Sequence, residues 1–196
     1  YFLVPADRNI FFQVLDENFM ELQRERTYNN FRPGEIRSCT GCHERKSEAP
    51  SFTGKRPIAF SKTPRLPGPQ PGEESGLRPI DYVADVQPIW DKHCLDCHSG
   101  EDARGGLNLS GEMTTFFNVS YENLVPERRR NPKRDPNYLG WIIGENHPKE
   151  QNAHYLPAKS LGSHTSRLMK MVMEEHMGVN LSLEEKVRLA TWIDSN

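Results

Sequence analysis

The sequence predicts a mainly α protein with irregular loops, in which an N-terminal β-hairpin segment precedes a small helical domain. Three observations carry that expectation. Two apolar runs flank the turn-forming Asp16-Glu17-Asn18, as in a hairpin. A stretch rich in Pro, Gly and charge follows at 61–79 and reads as an extended linker. Beyond it, apolar residues recur at helical spacing. The expected organisation is therefore a hairpin segment at 1–60, a linker at 61–79 and a helical domain at 80–196.

In the first segment, Ile10-Phe11-Phe12-Gln13-Val14-Leu15 is strand-like, and Phe19-Met20-Glu21-Leu22 resumes after the turn. Pro33-Gly34 then turns the chain toward the first cysteines. Two strands alone are marginally stable. They are expected to complete a sheet in a longer parent chain or a neighbouring subunit.

In the helical domain, Val83, Val86, Ile89 and Trp90 lead into Cys94, with Pro88 marking a break or a first turn. Gly105-Gly106-Leu107-Asn108-Leu109 lets backbone approach closely. The run Arg128-Arg129-Arg130-Asn131-Pro132-Lys133-Arg134 reads as a solvated loop in preference to a partner-docking patch. A helix is expected from about Ser163 to Met177, aligning His164, Leu168, Val172 and His176 at i+4 steps. Ser182-Leu183-Glu184-Glu185 is a capping box that opens a last helix. Leu183, Val187, Ala190 and Ile193 form its apolar row, with Trp192 beside them.

All four cysteines fall in two copies of one pattern, Cys39-Thr40-Gly41-Cys42-His43 and Cys94-Leu95-Asp96-Cys97-His98. Each reads as an attachment site for a c-type haem. Two thiols form thioethers with the vinyl groups of one porphyrin, and the following histidine reaches the iron. Positions i, i+3 and i+4 share a helical face, so all three side chains meet one macrocycle. A paired zinc knuckle would bring two such motifs close in sequence, and a redox dithiol would sit at a strand-to-helix junction. Neither context surrounds these motifs. The expected cofactors are two covalently bound haem c, on Cys39 and Cys42 and on Cys94 and Cys97.

His43 and His98 are then the proximal iron ligands, and the sixth position decides the chemistry. A strong sixth ligand makes an electron carrier, whereas an open position lets small molecules react. Among the other histidines, His176 is the first candidate for the second haem and His164 the next. His93 adjoins Cys94 too closely to cross its own ring, and His147 and His154 lie in loop-like sequence.

Composition agrees with a core built partly from cofactor. Only 35% of the 196 residues are hydrophobic, and adding the 14 glycines still leaves the share below the roughly 45–50% of ordinary domains; mean hydropathy is −0.75. A net charge of −2 gives no reason to expect nucleic acid as a partner. No apolar run reaches transmembrane length. The chain begins at Tyr1 rather than Met and shows no secretory signal, the mark of a processed product or a fragment. Haem attachment of this type occurs outside the cytoplasm. The expected location is therefore extracytoplasmic, in a periplasm-like compartment or outside the cell.

Several stretches, in order, resemble the alpha subunit of hydrazine synthase and its planctomycete-type relatives. They are Pro5-Ala6-Asp7-Arg8, Phe12-Gln13-Val14-Leu15-Asp16, Arg32-Pro33-Gly34-Glu35 ahead of the first motif, and Gly105-Gly106-Leu107-Asn108-Leu109. Leu161-Gly162-Ser163-His164-Thr165-Ser166-Arg167-Leu168 and Ala190-Thr191-Trp192-Ile193-Asp194-Ser195-Asn196 continue the series. The resemblance implies the C-terminal dihaem region of a subunit that also carries a β-propeller. It further implies a catalytic first haem ligated by a tyrosine just beyond the motif, and an electron-transfer second haem. Residues 44–50 contain no tyrosine, which leaves His43 to ligate its iron in the ordinary way.

The leading expectation is a dihaem cytochrome that passes electrons between redox protein partners. One alternative is a haem enzyme fragment with an open first haem. Another is a subunit of a conductive cytochrome filament, a homo-oligomer assembled through the N-terminal strand edge.

Overall fold

The structure, a computed structural model, describes residues 1–25, 27–38, 47–48, 51, 54–73, 78–125 and 157–195. The first motif (Cys39, Cys42, His43), the basic run at 128–134, His147 and His154 lie outside the described residues. Over those described, the fold mixes α and β structure with loops: two small antiparallel sheets at the N-terminus and four α-helices.

The hairpin is one long ribbon interrupted in the middle. β1 (Asn9–Ile10) pairs with β4 (Asn29–Asn30), and β2 (Gln13–Leu15) pairs with β3 (Glu21–Arg24). Leu15 faces Glu21 while Val14 faces Gln23, so Leu22 is the extra residue of a bulge. Asp16 holds the turn as its sequence position implies. Its Oδ1 accepts from the amides of Asn18 and Met20, both at 2.9 Å.

The helical part begins with a wide turn at Tyr82–Val86, opened by Asp81, whose side chain accepts from the Ala84 amide. It continues without a gap into α1 (Gln87–His93), with Pro88 in the first turn, where a missing N–H costs nothing. α2 (Val119–Leu124), α3 (Arg167–Met173) and α4 (Leu183–Ser195) complete the set. Val86, Ile89, Trp90, Leu107, Leu109, Leu124, Leu168, Met169, Leu189, Ala190, Trp192 and Ile193 are all buried together. A fully buried large apolar side chain contributes roughly 1.5–3 kcal/mol, so this cluster dominates the stability of the chain.

A hydrogen-bonded relay crosses that core. Trp90 Nε1 donates to the Tyr82 hydroxyl (3.0 Å), which donates to Ser120 Oγ (2.8 Å), which donates to Gln87 Oε1 (2.5 Å). The Gln87 amide nitrogen then reaches the Leu109 carbonyl and Asp91. Burial first, despite these bonds, pushes the Tyr82 hydroxyl up to about 12.

Two expected helices need correction. The one expected from Ser163 to Met177 is short. Ser166 caps α3 by accepting from the Met169 amide, and the backbone leaves the helix where Glu175 and Met177 turn left-handed (φ +53° and +52°). His164 and His176 therefore sit on separate tight turns, Gly162–His164 and His176–Gly178, flanking α3. The capping box holds: Ser182 N donates to Glu185 Oε2, and Glu185 N to Ser182 Oγ. In α4, however, Leu183 is exposed, and Leu189 takes its place in the core.

The stretch at 61–79 does more than connect. Arg65 exchanges backbone hydrogen bonds with Tyr1 and Leu3. Gln70 and Gly72 are held by Thr191 and Arg188 of α4. Arg78 forms a two-pronged contact with the buried Asp85 and also reaches Glu73.

Candidate functional site

α1 delivers the second cysteine motif directly from its last turn. The Cys94 amide donates to the Trp90 carbonyl (2.8 Å), and the Cys94 carbonyl accepts from Cys97 N (3.1 Å) and His98 N (2.9 Å). α1 ends at His93, and the motif follows as a turn closed by these i+3 and i+4 bonds, which brings residues at i, i+3 and i+4 to one side. Cys94, Cys97 and His98 are all half-buried there.

His98 Nδ1 lies 3.1 Å from the Leu107 carbonyl. A carbonyl only accepts, so this contact puts the proton on Nδ1 and leaves the Nε2 lone pair free. That is the tautomer a metal-ligating imidazole uses. His176 lies near it, with ring centres 6.4 Å apart and planes inclined at 38°. Two imidazoles binding one metal from opposite sides, each nitrogen at about 2.0 Å, hold their ring centres roughly 6.3 Å apart. The spacing would let both imidazoles reach a single metal. Among the described residues, no three His, Cys, Asp or Glu side chains converge to hold a bare ion. A metal held by His98 and His176 would need its remaining donors from a macrocycle, to which Cys94 and Cys97 of the same motif could be joined through their sulfurs.

The cysteines themselves fit a redox dithiol poorly. Burial, with a smaller contribution from Cys97, pushes the Cys94 thiol up to about 11. Nucleophilic dithiols have depressed values and favour helix N-termini. Cys94 instead caps a helix C-terminus, where the dipole disfavours a thiolate.

The other described histidines are engaged elsewhere. His93 Nε2 contacts Glu185 Oε1 at 2.9 Å, and Lys92 Nζ reaches the same oxygen at 2.9 Å. Burial alone would raise the Glu185 carboxyl, but Lys92, the Ser182 amide and His93 outweigh it and hold it at about 2. His164 turns to the hairpin, where its Nε2 lies 3.1 Å from Asp16 Oδ2 without alignment for a hydrogen bond.

Sequence reasoning missed two features. One is the Leu107 carbonyl, signalled only by the glycine pair that precedes it. The other is the buried polar seam that docks the hairpin. The Glu21 amide donates to Asp194 Oδ2 (3.1 Å) and Ser163 Oγ (3.3 Å). Asp194 also accepts from Ser163 N (2.6 Å) and Ser163 Oγ (2.7 Å). Gln13 joins the Glu21 carboxylate and the Asp194 carbonyl, and Arg24 pairs with Glu21 at 2.6 Å. Burial first, then the nearby Glu21, raises the Asp194 carboxyl, against the pull of its hydrogen bonds.

Comparison with known proteins adds a distant relation. Residues 1–44 match the family model of the hydrazine synthase alpha subunit middle domain. The hydrazine synthase subunit alpha of Kuenenia stuttgartiensis is 24% identical over 189 residues, covering 70% of this chain. The chain spans 23% of the length of that relative. No solved structure matches it.

Proposed function

We propose that the chain is a dihaem c-type cytochrome region that carries electrons, with haem c attached at Cys39 and Cys42 and at Cys94 and Cys97. The single observation that carries this reading is the approach of the His98 and His176 rings, 6.4 Å between centres, beside a Cys-x-x-Cys-His turn. A bound haem supplies a one-electron iron centre, and the protein sets its potential by axial ligand and burial. His98 would bind from the proximal side in the tautomer fixed by Leu107, and His176 would close the sixth position. Filling both positions would keep small molecules from such an iron, so that it would serve electron transfer alone. Leu95 within the motif and the buried Leu107 and Leu109 after it supply apolar surface.

A second reading is favoured by the match over 1–44, which includes the first motif. In it the chain is a piece of a haem enzyme related to the hydrazine synthase alpha subunit, with His43 on an iron open to small molecules. The two readings share the second site and differ at the first.

The test is maturation of the full chain in a host that attaches haem c, followed by mass analysis of its peptides and carbon monoxide binding. The carrier reading predicts one haem on each cysteine pair and no carbon monoxide adduct. One carbon monoxide bound per chain moves the enzyme reading to the front. Peptides without haem overturn both.

A further inference from the structure

We infer that Gly105 and Gly106 are positioning residues that set the potential of the second haem by aiming the Leu107 carbonyl at His98; the inference rests on the haem reading above. Both glycines adopt left-handed backbone, at φ +66° and +68°, and two such residues in succession are strained for any L side chain. A Cβ built on either would meet no described atom within 4 Å. The glycines therefore serve backbone direction, not space.

That direction has a target. The turn leaves the buried Ala103 and returns to the buried Leu107 and Leu109. It is clamped on the motif at both ends: Arg104 N donates to the Cys97 carbonyl (2.8 Å) and Leu109 N to the His98 carbonyl (2.8 Å). Between the clamps, Gly106 N closes the turn on the Ala103 carbonyl (2.9 Å). The Leu107 carbonyl is thereby left to face His98 Nδ1 at 3.1 Å. A hydrogen bond at Nδ1 makes Nε2 a more basic ligand, and a more basic ligand favours ferric over ferrous iron. Loosening the turn weakens that bond and raises the potential.

The experiment uses the full haem-loaded chain and the variants Gly105→Ala, Gly106→Ala, Gly105→Asn and Gly106→Asn. Asparagine tolerates left-handed backbone better than alanine, so it is the conservative replacement. Spectroelectrochemical titration should resolve one haem whose ferrous-to-ferric ratio at fixed potential rises about tenfold in the alanine variants, a shift of about 59 mV for one electron. The asparagine variants should return toward the parent value, and the other haem should keep its potential. Haem attached at Cys94 and Cys97 with unchanged potentials in all four variants overturns the inference alone. A Cys94–Cys97 peptide without haem overturns the haem reading and the inference together.

Discussion

The hairpin and the helical part are held by different physics, although one helix, α4, serves both. Around α1 and α4 the helical part closes over an apolar cluster in which Val86, Leu124, Met169, Leu189 and Ile193 have almost no exposure. The hairpin buries only Met20 and Phe31 among its large apolar side chains, and its outer face shows Phe11 and Val14. It is attached through Met20, which joins that same cluster, and through the Glu21–Ser163–Asp194 seam and a backbone bond from Lys159 N to the Leu22 carbonyl. Apolar packing is forgiving of small shifts. A buried polar seam is not, because every donor left without an acceptor is charged its full desolvation cost. The candidate site thus rests on the robust half, and the hairpin rests on a geometry-dependent contact.

The largest effect should come from the core. Trp90→Ala removes a fully buried indole and the first donor of the relay, and should cost about 3–5 kcal/mol in chemical denaturation. It should unfold the hairpin contacts with the rest. Asp194→Ala should act differently. It strips the acceptor from Ser163 N and Ser163 Oγ, at roughly 1–3 kcal/mol per orphaned buried donor, and leaves Glu21 N with Ser163 Oγ alone. Hydrogen exchange should then show Glu21–Arg24 losing protection while α1 keeps most of its own. Equal loss in both regions would erase the distinction between them.

Acid should separate the two ends of α4. Glu185, held at about 2 against an ordinary 4.5, gives stability that is fully present above pH 4.5 and lost as pH falls through 2. Asp194 is shifted upward, so its contribution is present below its ordinary 3.8 and lost as pH rises through the raised value. Lowering the pH from neutral should therefore tighten the hairpin seam before it loosens the α1–α4 contact. Glu185→Gln should flatten the acid limb, and Asp194→Asn should remove the opposite trend at the hairpin. The smallest effect is expected from Ser182→Ala, which removes the cap of α4 and should cost about 1 kcal/mol in thermal denaturation.

Local signals were legible in the sequence. Asp16 fixes its turn through its own carboxylate, Ser182 and Glu185 cap each other, and the cysteine motif follows α1 as a hydrogen-bonded turn. Features that depend on distant partners were not. Glu21 and Asp194 lie far apart in the chain, and no propensity announces their contact. Glu175 and Met177 turn left-handed without being glycine, so the end of α3 left no signature, although Gly178 follows at φ +80°. The same break places His176 near His98 through a turn, where the sequence suggested an i+4 row. The candidate pair could be proposed from histidine count and order, but its spacing is a tertiary property.

The most direct measurement is carbon monoxide uptake by the reduced, haem-loaded chain, compared with its His176→Ala variant. If His98 and His176 close one iron between them, the variant binds one more carbon monoxide per chain than the parent, and electron paramagnetic resonance of its ferric form loses a low-spin signal. If parent and variant bind the same amount and keep the same spectrum, His176 is not a ligand and the carrier account of this site is wrong.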